Sequence, residues 1–241
     1  MIHIGTSGWD YEDWRETFYP PGLRPHDRLA HYAERFPCVE VNASFYRLPG
    51  RDVFQRWHDE TPDDFRFAVK ASRYITHELR LRDAGQPLNL LWSRAQLLGE
   101  KLGPVLFQTP PRLPANIKVL HAFLASLPHG CRAAFEFRDP SWNKEPVLEA
   151  LNDAGAAWVI GDRPGVRVEP IVTGGWSYLR FHQGRRDAPA YSADKLRRWS
   201  EKLWGLPVTD TWIFFNNDTG GNAPRDAARL AHLLGVPPAV P

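Results

Sequence analysis

Ala133-Ala134-Phe135-Glu136-Phe137-Arg138 is apolar on one alternation and charged on the other. In a strand, successive side chains point to opposite faces. Phe135 and Phe137 therefore face one layer, of helices, while Glu136 and Arg138 face the other way. Val39-Glu40-Val41-Asn42 repeats the pattern, with the valines outward and Glu40 and Asn42 inward. Phe67 and Val69 leave Ala68 and Lys70 on the inner face, and Tyr178, Arg180 and His182 share one face of a later strand. If the strands close into a parallel barrel, this alternation says which side chains point into it, toward a site at the strands' carboxyl ends.

The rest of the chain supplies the ring. Eight β-rich runs are predicted: His3–Thr6, Cys38–Asn42, Phe65–Lys70, Val105–Gln108, Ala133–Phe137, Ala156–Gly161, Tyr178–Phe181 and Thr211–Phe215. Helical patterns follow them. Residues Asp27–Phe36 place Leu29, Tyr32, Ala33 and Phe36 on one face, and Asp52–Asp59 does the same with Val53, Phe54 and Trp57. A third helix spans about Leu90–Lys101 and stops at Gly103-Pro104. Further helices are Asn116–Leu127, Glu145–Asp153, Ser192–Leu203 with Ser192 as N-cap, and one opening at Pro224 and running to about Leu234. After the sixth strand the helix is short or missing. Eight strand–helix units with no linker between halves predict one α/β domain over residues 1–241, a (β/α)8 TIM barrel. A doubly wound open sheet fits less well, because no strand is followed by a Gly-rich dinucleotide fingerprint.

The composition, 43% hydrophobic and 24% charged in 241 residues, suits a globular chain with a large core and excludes extended disorder. No run of 18 apolar residues could span a bilayer, and Met1-Ile2-His3-Ile4-Gly5 lacks the features of a signal peptide, so a cytoplasmic protein without a membrane partner is expected. Two cysteines, Cys38 and Cys131, rule out a disulfide framework or a cysteine-based zinc site. A cysteine nucleophile is not expected, since Cys38 starts its strand and Cys131 falls on the opposite face of the barrel from the site. The net charge of +2 neither demands nor excludes a nucleic-acid partner.

Several blocks carry a family resemblance. Gly5-Thr6-Ser7-Gly8-Trp9-Asp10-Tyr11-Glu12-Asp13-Trp14, Val39-Glu40-Val41-Asn42-Ala43-Ser44-Phe45-Tyr46-Arg47-Leu48-Pro49 and Phe67-Ala68-Val69-Lys70-Ala71 are similar to segments of the YecE-like proteins, a domain-of-unknown-function family. Ile75-Thr76-His77, Gln108-Thr109-Pro110-Pro111, Glu136-Phe137-Arg138-Asp139-Pro140-Ser141-Trp142 and Phe215-Asn216-Asn217-Asp218 add to it. The resemblance covers about residues 2–235, leaving 236–241 as a frayed tail. It implies a TIM barrel and no established reaction. One departure is Arg180-Phe181-His182-Gln183-Gly184, where the family has Gly directly after His.

A TIM barrel's site gathers at the carboxyl ends of its strands. Here those ends carry Ser7, Asn42, Lys70, Gln108, Glu136 with Arg138, Asp162, Arg180 with His182, and Asn217-Asp218. One reading is a buried ion network of Glu40, Lys70, Glu136 and Arg180 that only satisfies itself. Such networks are a poor source of stability, so their clustering favours function. Lys70, Arg138 and Arg180 are expected to hold an anion, and Asn42, Gln108 and Asn217 to orient it. Asp162, His182 and Asp218 are further expected contacts. Catalysis falls to Glu136, Glu40 and Lys70: Glu136, beside Arg138, should stay ionised, while a deeper Glu40 could be raised by desolvation, or both could be neutralised by the cations. Gly184 and Thr219-Gly220-Gly221-Asn222 could add an anion nest, whereas Arg185-Arg186 read as a solvated loop. Trp9, Phe45, Tyr46 and Trp142 fall on βα loops where a ring could stack, while Trp57, Trp199 and Trp212 sit at packing positions. The Ser72–Gln86 loop adds Arg73, Tyr74, His77, Arg80 and Arg82 to the rim.

The leading expectation is an enzyme acting, by hydrolysis, on an anionic phosphate-bearing substrate such as a nucleotide or nucleic acid, without a cofactor. Two alternatives are a non-catalytic nucleic-acid binder and a metal-dependent sugar isomerase or lyase. The last would place a divalent ion on Glu136, Asp162, His182 and Asp218, but no paired-histidine spacing supports it.

Overall fold

A computed structural model describes residues 1–165, 168, 170–183 and 189–236. The Gly184 and Arg185-Arg186 readings, and all of the expected tail but Val236, lie outside the described residues. Eight parallel strands close in sequence order: β1 (Ile2–Ser7), β2 (Cys38–Val41), β3 (Arg66–Lys70), β4 (Leu102–Gln108), β5 (Ala133–Glu136), β6 (Ala157–Asp162), β7 (Ser177–Phe181) and β8 (Thr211–Phe215). The seam joins β1 to β8, from Ile2 opposite Thr211 to Thr6 opposite Phe215. The helices are α1 (Arg28–Ala33), α2 (Ala43–Tyr46), α3 (Arg51–Asp59), α4 (Gly85–Ala95), α5 (Ile117–Ala125), α6 (Glu145–Asp153), α7 (Ala193–Trp204) and α8 (Asn222–Leu233). This is the TIM barrel that the eight strand–helix units predict.

Two apolar layers follow from the period of two. The outward layer between sheet and helices takes Val39, Val41, Phe67, Val69, Phe107, Phe135, Leu179, Phe181, Ile213 and Phe215. The inward layer at the lower half of the barrel takes Cys38, Ala68, Leu106, Ala134, Val159, Tyr178, Trp212 and Phe214. One step further along the same inward positions the chain switches to Glu40, Lys70, Gln108, Glu136 and Arg180, all buried. The apolar floor thus lifts the polar layer to the carboxyl-end mouth.

Boundaries shift where a local breaker was misread. The third helix does not run to Lys101: α4 ends at Ala95, a 3-10 turn covers Gln96–Lys101, and Gly99 turns the chain with φ +54°. Gly103-Pro104, read as a helix stop, lies inside β4, where Trp212 packs against Gly103 and would meet an added Cβ at 2.6 Å. The last helix opens at Asn222, before Pro224. Ser192 caps α7 as expected, its Oγ accepting from the Lys195 amide at 3.3 Å. Between β6 and β7 the described residues contain no helix, and Thr173 pins the crossing instead. Its Oγ1 accepts from the Trp158 amide and donates to the Ala156 carbonyl, both at 2.7 Å.

Candidate functional site

Arg180, on β7, lies across the barrel axis between two carboxylates. One terminal nitrogen donates to Glu136 Oε2 at 2.7 Å and the other to Glu40 Oε1 at 2.7 Å. Glu40, on β2, also accepts from Ser7 Oγ at 2.7 Å and Tyr178 Oη at 2.6 Å. Glu136, on β5, also accepts from Gln108 Nε2 at 2.7 Å, His182 Nε2 at 3.1 Å and Arg163. Burial is the largest single influence and works to raise both carboxyls, but Arg180 and the neighbouring cations and donors together outweigh it. With Lys70 and the Tyr178 bond, Glu40 ends below the usual carboxylate range, and with His182 and Arg163, Glu136 ends well below it. Neither is the raised acid that a deep Glu40 could have been. All three residues are sealed from solvent and form the floor of the mouth.

Above the floor, Lys70 and Arg138 are differently placed. Lys70 Nζ lies 4.2 Å from the centre of the Phe45 ring, a cation–π contact. Among the described residues it has no hydrogen-bonding acceptor and no carboxylate within 4 Å. Burial first, then Arg180, lowers its ammonium to about 8. The Arg138 guanidinium meets only Glu136 Oε1, at 4.0 Å, and its Nε has no partner among the described residues. Arg163, reached by continuing the β6 alternation past Gly161, completes a mouth with four cationic side chains over two carboxylates.

The histidines flank this group. The His182 ring is held by Asn216 Nδ2, which donates to Nδ1 at 3.3 Å, so that Nε2 carries the proton given to Glu136. Burial lowers His182 despite Glu136, leaving it uncharged at neutral pH. His77 packs edge-on against Phe45 at 5.2 Å and bonds Thr76 through Nδ1 at 2.9 Å; burial, Arg73 and Lys70 lower it too.

On the β8 side, Tyr11 Oη donates to the Ser7 carbonyl at 2.5 Å, and Asp218 and Asn42 lie against the same hydroxyl. Burial raises the Asp218 carboxyl to about 7. Asp218 Oδ1 and Asn42 Oδ1 are buried without a hydrogen-bond partner among the described residues.

The structure therefore gathers Glu40, Asn42, Lys70, His77, Gln108, Glu136, Arg138, Arg180, His182 and Asp218 at one mouth. Three other expected residues are placed elsewhere. Asp162 turns outward on β6 and pairs with Lys195 of α7 at 2.7 Å. Trp142 is buried, stacked on Phe137 at 4.2 Å and bonded to the Leu113 carbonyl at 2.8 Å, with no face left for a ligand. Asn217 is buried and ties the β8 loop to α8, donating to Asp226 at 2.9 Å and to the Pro189 carbonyl at 3.0 Å. Tyr46 is on the rim and 83% exposed. The four residues named for a divalent ion are split by the outward turn of Asp162. No group of three metal-ligating side chains converges among the described residues. Burial pushes both thiols up, Cys131 to about 12, so neither is a thiolate nucleophile at neutral pH.

Sequence reasoning missed Arg163 and Tyr11. Alternation from Ala157 and Val159 points Gly161 and Arg163 inward, and that signal identifies Arg163. No strand period reaches Tyr11, which lies on the loop after β1.

Related proteins share this architecture. The chain is 28% identical to the UPF0759 protein YunF of Bacillus subtilis over 98% of its own length and 95% of that protein. It is 26% identical to the UPF0759 protein YecE of Escherichia coli over 100% and 98%. A solved DUF72 family protein from Thermotoga maritima superposes with a TM-score of 0.88 at 30% identity, over 98% of this chain and 99% of that one. Another, from Enterococcus faecalis, gives 0.84 at 20% identity over 100% and 98%. With the family pattern described as "Protein of unknown function DUF72" matching residues 3–240, the chain belongs to the DUF72 family.

Proposed function

We propose that this barrel is an enzyme that binds a phosphate-bearing anion at its carboxyl-end mouth and moves protons there with Lys70 and Asp218. The observation that carries the reading is the pair Lys70 and Arg138, two cations at a shared mouth whose side chains have no hydrogen-bonded acceptor among the described residues. A structural network would give each cation a carboxylate at hydrogen-bond distance, as the floor gives Arg180 two through its terminal nitrogens. Leaving two unsatisfied is unfavourable unless an anion completes them. In a site of low dielectric constant those contacts are stronger than in water.

Arg180 then has a positioning role. It holds Glu40 and Glu136 ionised and fixes the floor on which substrate rests. Proton transfer passes to the groups whose pKa lies near neutrality, Asp218 at about 7 and Lys70 at about 8. Each is coupled to both Glu40 and Arg180, so they flank the same floor.

Titration calorimetry with inorganic phosphate tests this. Saturable binding is expected, strongest below pH 8 and weakening as the pH rises and Lys70 loses its proton. No binding, or binding unchanged in Lys70→Met, would contradict the reading.

A second reading, nucleic-acid binding, rests on Tyr46 and Tyr74, 83% and 51% exposed, which stand beside Arg47 and Arg73 on the rim. Base stacking on such rings contributes about 1–3 kcal/mol each. Fluorescence anisotropy of a single-stranded oligonucleotide would show affinity lost in Tyr46→Ala and falling steeply with salt; a flat response to both removes it.

A further inference from the structure

The chain has 24 arginines and six lysines, yet a lysine ends β3 at the mouth. Two lysines are buried, and they are built differently. Lys101 Nζ donates to the carbonyls of His58 at 2.6 Å and Thr61 at 2.7 Å, with Thr61 Oγ1 at 3.4 Å; its three hydrogens are used, and its role is to tie α3 to the turn before β4. Lys70 is 9% exposed, and its Nζ rests on the Phe45 ring with no hydrogen-bonded acceptor among the described residues. An arginine there would serve an anion better, with five donors and a planar fork. What an arginine, protonated at neutral pH, does not offer is the free primary amine that condenses with an aldehyde or ketone to an imine.

We propose that Lys70 is a nucleophile that forms an imine with an aldehyde or ketone carrying a phosphate group. This deepens the proposed function and rests on it for the phosphate, which Arg138 and Arg163 would hold while the carbonyl meets Nζ. The geometry supplies what such a lysine needs. It is buried at the end of β3, with no carboxylate within 4 Å among the described residues, and its ammonium lies over an aromatic ring beside the cationic Arg180. Burial and Arg180 also make the free amine accessible near neutral pH.

The step is balanced without an oxidant. The Nζ lone pair adds to the carbonyl carbon, the C=O π pair moves to oxygen, and a proton passes from nitrogen to oxygen to give a carbinolamine. Loss of hydroxide with a proton, as water, then leaves the C=N bond, so amine and carbonyl give imine and one water. The imine draws electrons from the adjacent carbon–hydrogen bond, and Asp218, gathered at the same mouth with one buried carboxyl oxygen unpartnered among the described residues, would take that proton.

Cyanoborohydride trapping tests the proposal, because hydride reduces an imine to a stable secondary amine. The full-length protein is incubated with glycolaldehyde phosphate or with unphosphorylated glycolaldehyde, reduced, digested and mapped by mass spectrometry. Phosphate-dependent labelling of Lys70, at least about tenfold over the neutral aldehyde (about 1.4 kcal/mol) and absent at Lys101, supports both the nucleophile and the anion site. Equal labelling of Lys70 by both aldehydes supports the nucleophile and contradicts the phosphate reading. No labelling of Lys70, with inorganic phosphate still bound in calorimetry, overturns the nucleophile and leaves the anion site standing. Lys70→Arg, which keeps the charge, should retain phosphate binding and lose the adduct; an adduct of the same yield in that variant would also overturn the proposal.

Discussion

Arg180 shows how a buried charge is tolerated in this barrel. Its two terminal nitrogens reach two carboxylates, and each carboxylate has further donors, so these hydrogen bonds offset the desolvation of three ions, although Arg180 Nε has no partner among the described residues. Arg180→Leu strands Glu40 and Glu136 and should destabilise the fold by about 3–5 kcal/mol at pH 7. Both carboxyls are depressed in the folded state, so they stabilise it above the unfolded pKa of about 4.3 and lose that contribution as the pH falls. The gap between wild type and Arg180→Leu, measured by urea unfolding, should therefore narrow in acid. Asp218 has the opposite sign. Its carboxyl is raised, so its contribution is fully present below the unfolded value of about 3.9 and is lost as the pH climbs toward 7. Asp218→Asn should raise stability at pH 8 by about 1–3 kcal/mol and leave it unchanged at pH 4, as thermal melts would show. A uniform effect at both pH values would mean that the carboxyl is not desolvated.

At the scale of elements, close approach sets the first strand. Gly5 of β1 faces the Cys38 carbonyl so directly that an added Cβ would collide with it, and Tyr32 Oη, at 2.9 Å from that Cβ, closes the other side. Tyr32 itself donates to the Cys38 carbonyl and accepts from the Thr6 amide, each at 2.9 Å, tying α1 to β1 and β2. Gly5→Ala should cost about 1–3 kcal/mol, the usual penalty of overpacking, read as a lower denaturant midpoint with an unchanged slope.

The elements also show what a sequence reveals. β2 and β5 were legible because Val39 and Val41, and Phe135 and Phe137, mark the outward face and leave the glutamates no other place. β6 is harder to read: Ala157 and Val159 carry the alternation that points Arg163 inward, but Gly161-Asp162-Arg163 has no apolar marker of its own, and an acid at a strand end invites assignment to the mouth. The tertiary partner decides: Lys195 on α7 draws Asp162 outward, and Glu136 draws Arg163 inward. Trp142 and Asn217 lie on loops, where no period tells a packed side chain from a presented one.

At the scale of the whole molecule, closure of eight strands brings groups far apart in sequence into one mouth, with Lys70, Arg138, Arg163 and Arg180 over Glu40 and Glu136. No helix among the described residues is long and apolar enough to cross a membrane. The net charge of +2 gives only weak long-range steering, so attraction for an anion has to come from the mouth itself. A crystal structure grown in phosphate is the most direct measurement of that local field. It should show a phosphate bridging Lys70 Nζ and the Arg138 guanidinium, with Glu40, Arg180 and Glu136 unmoved beneath it. A mouth holding only water while phosphate occupies other sites on the same molecule would contradict the account.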